Sequence, residues 1–136
     1  MIPFRDSTPI REMKLLLDTH AVLWLLNGDE RVPEWLRIVT KECDHELIVS
    51  DVSLWEIAIK SSLGRLDVPD DLPSHLDAAG ITELTIKRSH LWKVRDLEFH
   101  HSDPFDRLLV TQALQEDMTL VSRDRHLAAY GVSLRW

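Results

Sequence analysis

The chain has a single cysteine, Cys43, in 136 residues. One thiol excludes an internal disulfide and a thiolate zinc cage, and its place in an apolar helical pattern makes it an expected core residue rather than a nucleophile. Long apolar runs are missing too. No stretch approaches the roughly 18 residues that a membrane helix needs, and residues 1–12 (MIPFRDSTPIRE) carry no signal-like apolar segment, so the expected location is the cytoplasm, off the membrane. Glycine is scarce, at four, and none falls in G-x-x-x-x-G-K-[ST] or G-x-G-x-x-G order, which removes the usual backbone cradles for nucleotides and dinucleotides. Positive charge is short as well. Sixteen Lys and Arg against 23 Asp and Glu give a net charge of −7, which excludes a basic surface that coats a duplex. It leaves room for an enzyme that meets a few phosphates through local arginines and a bound cation, because acids grouped in one site can dominate the net charge.

What is present is an alternation of short apolar strands and amphipathic helices. Residues 1–12 lack periodicity and hold two prolines, so they are expected to be a disordered extension ahead of a single domain over 13–136. From there the pattern predicts strands at 14–18, 46–50, 81–86, 119–122 and 132–135. Helices are predicted at 19–26, 33–43, 51–62, 72–79, 88–94, 104–117 and 125–130. This order implies a three-layer α/β/α fold around a central parallel sheet with right-handed crossovers. The five tryptophans, 24, 35, 55, 92 and 136, are expected mostly in its core.

Five acids then stand out by position. Asp18 ends the first strand, Glu56 follows the second, Asp103 and Asp106 open the helix before the fourth, and Asp124 follows the fourth. Two explanations compete for them. Asp103-Pro104-Phe105-Asp106 reads as an N-cap, a proline at N1 and an acid at N3, and Ser53-x-x-Glu56 has capping-box spacing. The other explanation starts from the rule that carboxyl ends of parallel strands share one ligand-binding rim, where Asp18, Glu56 and Asp124 belong. Asp103 and Asp106 join them if loop 95–102 returns over that rim. Clustered carboxylates oppose folding by mutual repulsion, and an oxygen-preferring Mg²⁺ or Mn²⁺ reverses that sign.

Other side chains weigh less. Seven histidines show no H-x-x-x-H pair, and His100-His101 is expected to be solvated rather than ligating. Arg107, Arg123 and Arg125 flank the acids as phosphate grips or as plain surface ion pairs. Lys60, four residues after Glu56, suits a helix ion pair. A phosphoaspartyl enzyme is disfavoured because "DTH" places His20 where a D-x-D pattern has its second acid.

The segments "LLLDTHAVLWLL" (15–26), "SDVSLWEIAIKSSLGRL" (50–66), "HSDPFDRLLVTQAL" (101–114) and "LVSRDRHLAAYGV" (120–132) resemble, in order and spacing, the four motif blocks of PIN-domain proteins of the VapC toxin type. The resemblance implies an Mg²⁺- or Mn²⁺-dependent endoribonuclease acting on single-stranded RNA, usually a homodimer, neutralised by a cognate antitoxin. It assigns the acidic quartet to Asp18, Glu56, Asp106 and Asp124, with Asp103 as an extra acid that joins the metal ligands Asp18, Asp106 and Asp124. Thr19 and Ser122 match its accessory hydroxyl positions. It also implies an antitoxin segment lying over the acidic rim, with Trp24 and Trp55 as candidate walls of its groove or, alternatively, as core residues. The rival expectation is a catalytically silent PIN-like interaction module.

Overall fold

The computed structural model describes residues 13–42 and 45–136; the expected extension over 1–12 and Cys43 lie outside them. Strand β1 (Lys14–Leu17) is three consecutive leucines after a lysine, and all three are fully buried. A strand alternates its faces, so a run with no polar member must be covered on both sides. Leu15 and Leu17 enter one apolar cluster and Leu16 the other. The neighbours repeat the division. In β2 (Glu46–Ser50) Leu47 and Val49 face the first cluster and Ile48 the second; in β4 (Thr119–Val121) Val121 faces the first and Leu120 the second.

Every pairing is parallel, in the order β3-β2-β1-β4-β5, with β3 at Thr82–Leu84 and β5 at Leu134–Arg135. Leu16 lies opposite both Ile48 and Leu120. The first face is covered by α1 (Thr19–Asn27), α2 (Glu34–Val39) and α4 (Leu72–Ala78), through Ala21, Val22, Trp35, Leu36, Leu72 and Leu76. Helix α6 (Pro104–Gln115) covers the second through Leu108, Leu109, Val110 and Ala113. Helix α3 (Asp51–Ser62) serves both, with Ile57 on one cluster and Val52 on the other, and α5 (Arg88–Lys93) packs beside α6. The three-layer α/β/α expectation is met.

Boundaries moved where local chemistry intervened. Asp18 is not the last residue of β1 but the N-cap of α1, accepting from the Ala21 N–H. Helix α1 ends at Gly28, whose φ of 64° supplies the left-handed turn that lets its N–H reach the Leu25 carbonyl. The second helix is six residues long rather than eleven, and the third and fifth strands shrink to three and two residues. Edge strands have one partner only, so pairing stops early there.

The tryptophan expectation holds for three of the five. Trp35 is core and Trp24 and Trp136 pack, partly buried, against the same cluster, whereas Trp55 and Trp92 are 57% and 68% exposed. Both lie on helical positions that face away from the sheet, a direction that composition does not encode. No helix among the described residues is long and apolar enough to cross a membrane.

Candidate active site

The chain runs β1 to β2 to β3 on one side of the sheet, then returns to place β4 on the other side of β1. That reversal leaves a crevice above the carboxyl ends of β1 and β4, the position where open α/β sheets bind ligands. Asp18 follows β1 directly, and Asp124 follows β4 after Ser122 and Arg123. A cleft of about 390 Å³ opens there, lined by Asp18, Glu56, Asp103, Asp106 and Asp124 together with Thr19, His20, Trp24, Lys60 and Arg123. The five acids singled out in the sequence therefore share one cleft.

Each is held by its own local structure. Asp18 accepts from the Ala21 N–H at 2.8 Å and from the Ser122 hydroxyl. The same Ser122 oxygen accepts the Asp124 N–H at 3.1 Å, so one buried hydroxyl links the ends of β1 and β4. Asp124 caps the 3₁₀ helix Arg125–Tyr130, its Oδ1 accepting from the His126 N–H at 3.0 Å. Asp103 caps α6 through the N–H groups of Phe105 at 2.8 Å and Asp106 at 3.4 Å, with Pro104 at N1. Capping and the shared cleft are compatible: the helix terminus fixes Asp103 and sets Asp106 beside it.

Glu56 departs from its sequence-based alternative. The N-cap of α3 is Ser50, whose Oγ accepts the Val52 N–H, so Ser53-x-x-Glu56 is not a capping box. Ser53 is buried in the first turn of α3. Glu56 lies on the turn that follows, with both oxygens occupied: the Thr19 hydroxyl donates to Oε1 at 2.6 Å and the Lys60 ammonium to Oε2 at 2.7 Å. The expected Lys60 ion pair is present.

Electrostatics register the crowding. Burial pushes the Asp106 carboxyl up to about 6, aided by the charges of Asp103, Glu56 and Asp18 and opposed by His101. Burial also raises Asp18, against the hydrogen bonds from Ser122 and the Ala21 N–H that favour its ionised form. The cleft thus holds more negative charge than it can solvate and favours a cation.

The arginines separate into three fates. Arg123 lines the cleft, with its guanidinium 5.8 Å from the centre of the Trp24 ring. Arg125 is exposed and outside the cleft lining. Arg107 is buried and turned away: its guanidinium donates to the carbonyls of Glu98 at 2.8 Å and Leu97 at 3.2 Å and to the Tyr130 hydroxyl at 3.3 Å, and lies 3.9 Å from the centre of the Phe99 ring. It secures the loop ahead of α6, so the expected phosphate grip does not hold for Arg107.

That loop delivers the residue the sequence did not single out. His101, expected to be solvated, is 25% exposed, and its Nε2 lies 3.6 Å from Asp106 Oδ2 and 3.6 Å from Asp124 Oδ2. These three are close enough to share one ion. The signal was its position two residues before Asp103, but only the folded loop shows which way the ring points. Of the two tryptophans, Trp24 lines the cleft and Trp55 lies outside it, its ring edge-on to Phe105 with centres 5.2 Å apart.

An α/β/α domain with an acidic cleft at the reversal point of a parallel sheet has its ligand-binding position there. The family model for the PIN domain matches residues 15–132. The chain belongs to the PIN-domain family, a family of nucleases. Solved structures with this fold include VapBC2 from Rickettsia felis bound to a promoter DNA fragment, at TM-score 0.69 and 16% identity over 91% of this chain and 99% of that one. A toxin–antitoxin complex from Klebsiella pneumoniae gives 0.62 and 12% over 90% and 96%. FitAcB from Neisseria gonorrhoeae gives 0.56 and 20% over 88% and 95%. At these identities the likeness is one of fold. No curated protein matches the sequence significantly.

Proposed function

We propose that this chain is an Mg²⁺- or Mn²⁺-dependent endoribonuclease that cuts single-stranded RNA, and that it is the toxin of a toxin–antitoxin pair. The observation that carries the reading is the convergence of Asp18, Glu56, Asp103, Asp106 and Asp124 in one cleft where Asp106 is pushed up to about 6. An all-carboxylate set of this kind fits a hard divalent ion, and the fit is physical: Asp18 and Asp106 are both raised without one. Asp18, Asp106 and Asp124 would hold it, with Asp103 beside them. When bound, such an ion lowers the pKa of a water and neutralises charge that builds on phosphate oxygens.

The remaining work falls to the chain's own groups. Thr19 and Lys60 fix the orientation of the Glu56 carboxylate, one on each oxygen, and the second lone pair of either oxygen can accept a hydrogen bond from a nucleophilic water. Ser122 holds Asp18 and the Asp124 backbone in register. Arg123, at the cleft wall beside Trp24, is placed to meet a phosphate of the RNA strand.

Partners follow from the same reading. The structural neighbours include toxin–antitoxin complexes, and an enzyme that cuts its host's RNA requires a dedicated inhibitor. We assign this chain a cognate antitoxin, a homodimeric state and a cytoplasmic location. The test is cleavage of a single-stranded RNA by purified protein with Mg²⁺, Mn²⁺ or EDTA. Cleavage with either ion and none in EDTA is the expected result; equal cleavage in EDTA, or none under any condition, overturns the reading.

A further inference from the structure

The three groups that lie close enough to share an ion are not three equivalent ligands. The Asp103 N–H donates to Nδ1 of His101 at 3.1 Å. A nitrogen that accepts from an N–H presents its lone pair, so the one hydrogen of the neutral ring resides on Nε2. Nε2 is the atom that faces Asp106 and Asp124. The ring therefore shows the two acids a hydrogen, not a lone pair.

We infer that His101 is a positioning residue whose Nε2–H spans the carboxylates of Asp106 and Asp124 and stays outside the coordination of the cation they take. The inference rests on the cation reading proposed above. The two acids come from different elements, one from the first turn of α6 and the other from the loop after β4, and no hydrogen bond joins them directly among the described residues. A donor placed between them supplies the missing restraint. At 3.6 Å each contact is longer than a formed hydrogen bond, and a side-chain shift of about half an ångström closes either one.

The backbone that carries the ring is held from behind. The Tyr130 hydroxyl donates to the His101 carbonyl at 3.4 Å and accepts from Arg107 at 3.3 Å, while Arg107 also binds the carbonyls of Leu97 and Glu98. Arg107 therefore serves the site at one remove, by fixing the loop that carries His101. For His101 to ligate a cation through Nε2, its hydrogen would have to move to Nδ1, where it would meet the Asp103 N–H head-on. An imidazole ligand would also draw the site towards softer ions, whereas a donor keeps the set all-oxygen.

The direct test is the imidazole ¹⁵N spectrum of His101 in ¹⁵N-labelled wild type at pH 8, without and with saturating Mg²⁺. The expected result is a protonated Nε2 and an unprotonated Nδ1 in both states. A hydrogen on Nδ1, or loss of the Nε2 hydrogen when Mg²⁺ binds, overturns the inference. Calorimetric titration of variants adds a second readout that does not depend on activity. His101→Ala should weaken Mg²⁺ and Mn²⁺ binding alike, by about tenfold, and His101→Gln, which keeps an N–H donor, should restore most of the loss. Selective loss of Mn²⁺ by His101→Ala with Mg²⁺ unchanged, or no loss of either, contradicts the inference. Failure of the wild type to bind either ion would instead remove the cation reading, and the ¹⁵N spectrum of the metal-free protein would still decide the tautomer.

Discussion

The Thr19 hydroxyl donates to Glu56 Oε1 at 2.6 Å, joining the first turn of the helix after β1 to the second turn of the helix after β2. Both side chains are buried, and the contact fixes the only acid of the cleft that α3 contributes. Thr19→Val keeps the shape and removes the donor. The expected outcome is a loss of about tenfold in RNA cleavage, since misorienting a group that positions a reacting partner costs that order. Steady-state cleavage rates check this, and Thr19→Ser should recover most of the activity.

A second prediction concerns pH. The Asp106 carboxyl is raised to about 6 in the folded chain and titrates near 4 when unfolded. Folding therefore takes up a proton between these values, and stability without metal is highest below about 4 as far as this group is concerned. It falls as pH rises through about 6. Denaturant melts in EDTA at pH 5 and pH 7.5 should show the wild type losing stability with rising pH, and Asp106→Asn losing less over the same interval.

Loss of the Arg107 clasp should act through structure. The guanidinium is buried with three acceptors, so Arg107→Met leaves two carbonyls and a hydroxyl short of a donor, at about 1 to 3 kcal/mol. Because these carbonyls belong to the loop that carries His101, cleavage should fall more than Tm predicts. Arg125→Met, outside the cleft lining, should change neither by much. Thermal melts and cleavage rates on the two variants check the contrast.

In the host the toxin reading makes its own demand. Expressed without a neighbouring antitoxin, the wild type should arrest growth, whereas Asp18→Asn, which removes a charge from the cleft, should be tolerated. Growth curves after induction test this; equal growth with both proteins would contradict it.

Much of the fold was readable because burial on both faces leaves a mark. Leu15, Leu16 and Leu17 without a polar interruption imply a central parallel strand, and Asp18, Glu56 and Asp124 then fall at carboxyl ends by topology alone. His101 was not readable. Its direction depends on Arg107 reaching back to Leu97 and Glu98 and on Tyr130 meeting its carbonyl, contacts that no local pattern records. Arg107 was misjudged for the same reason: a charged residue next to an acid looks solvent-facing in sequence, while this one is satisfied by backbone carbonyls. Trp55 and Trp92 were misplaced because hydrophobicity does not say which side of a helix meets the sheet.

Asp106 decides between the two explanations of the opening of α6. If it were only an acid at a helix N-terminus, Asp106→Asn would cost about 0.3 to 1 kcal/mol of favourable dipole interaction, lower Tm and leave the metal response intact. With its carboxyl raised to about 6 by burial and by Asp103, Glu56 and Asp18, the repulsion exceeds that gain. The measurement is a thermal melt of wild type and Asp106→Asn at pH 7.5, in EDTA and in millimolar Mn²⁺. The account predicts that the variant melts higher than wild type in EDTA, by about 5 °C, and loses most of the Mn²⁺-induced rise that wild type shows. A variant that melts lower in EDTA and keeps the full Mn²⁺ rise would contradict it.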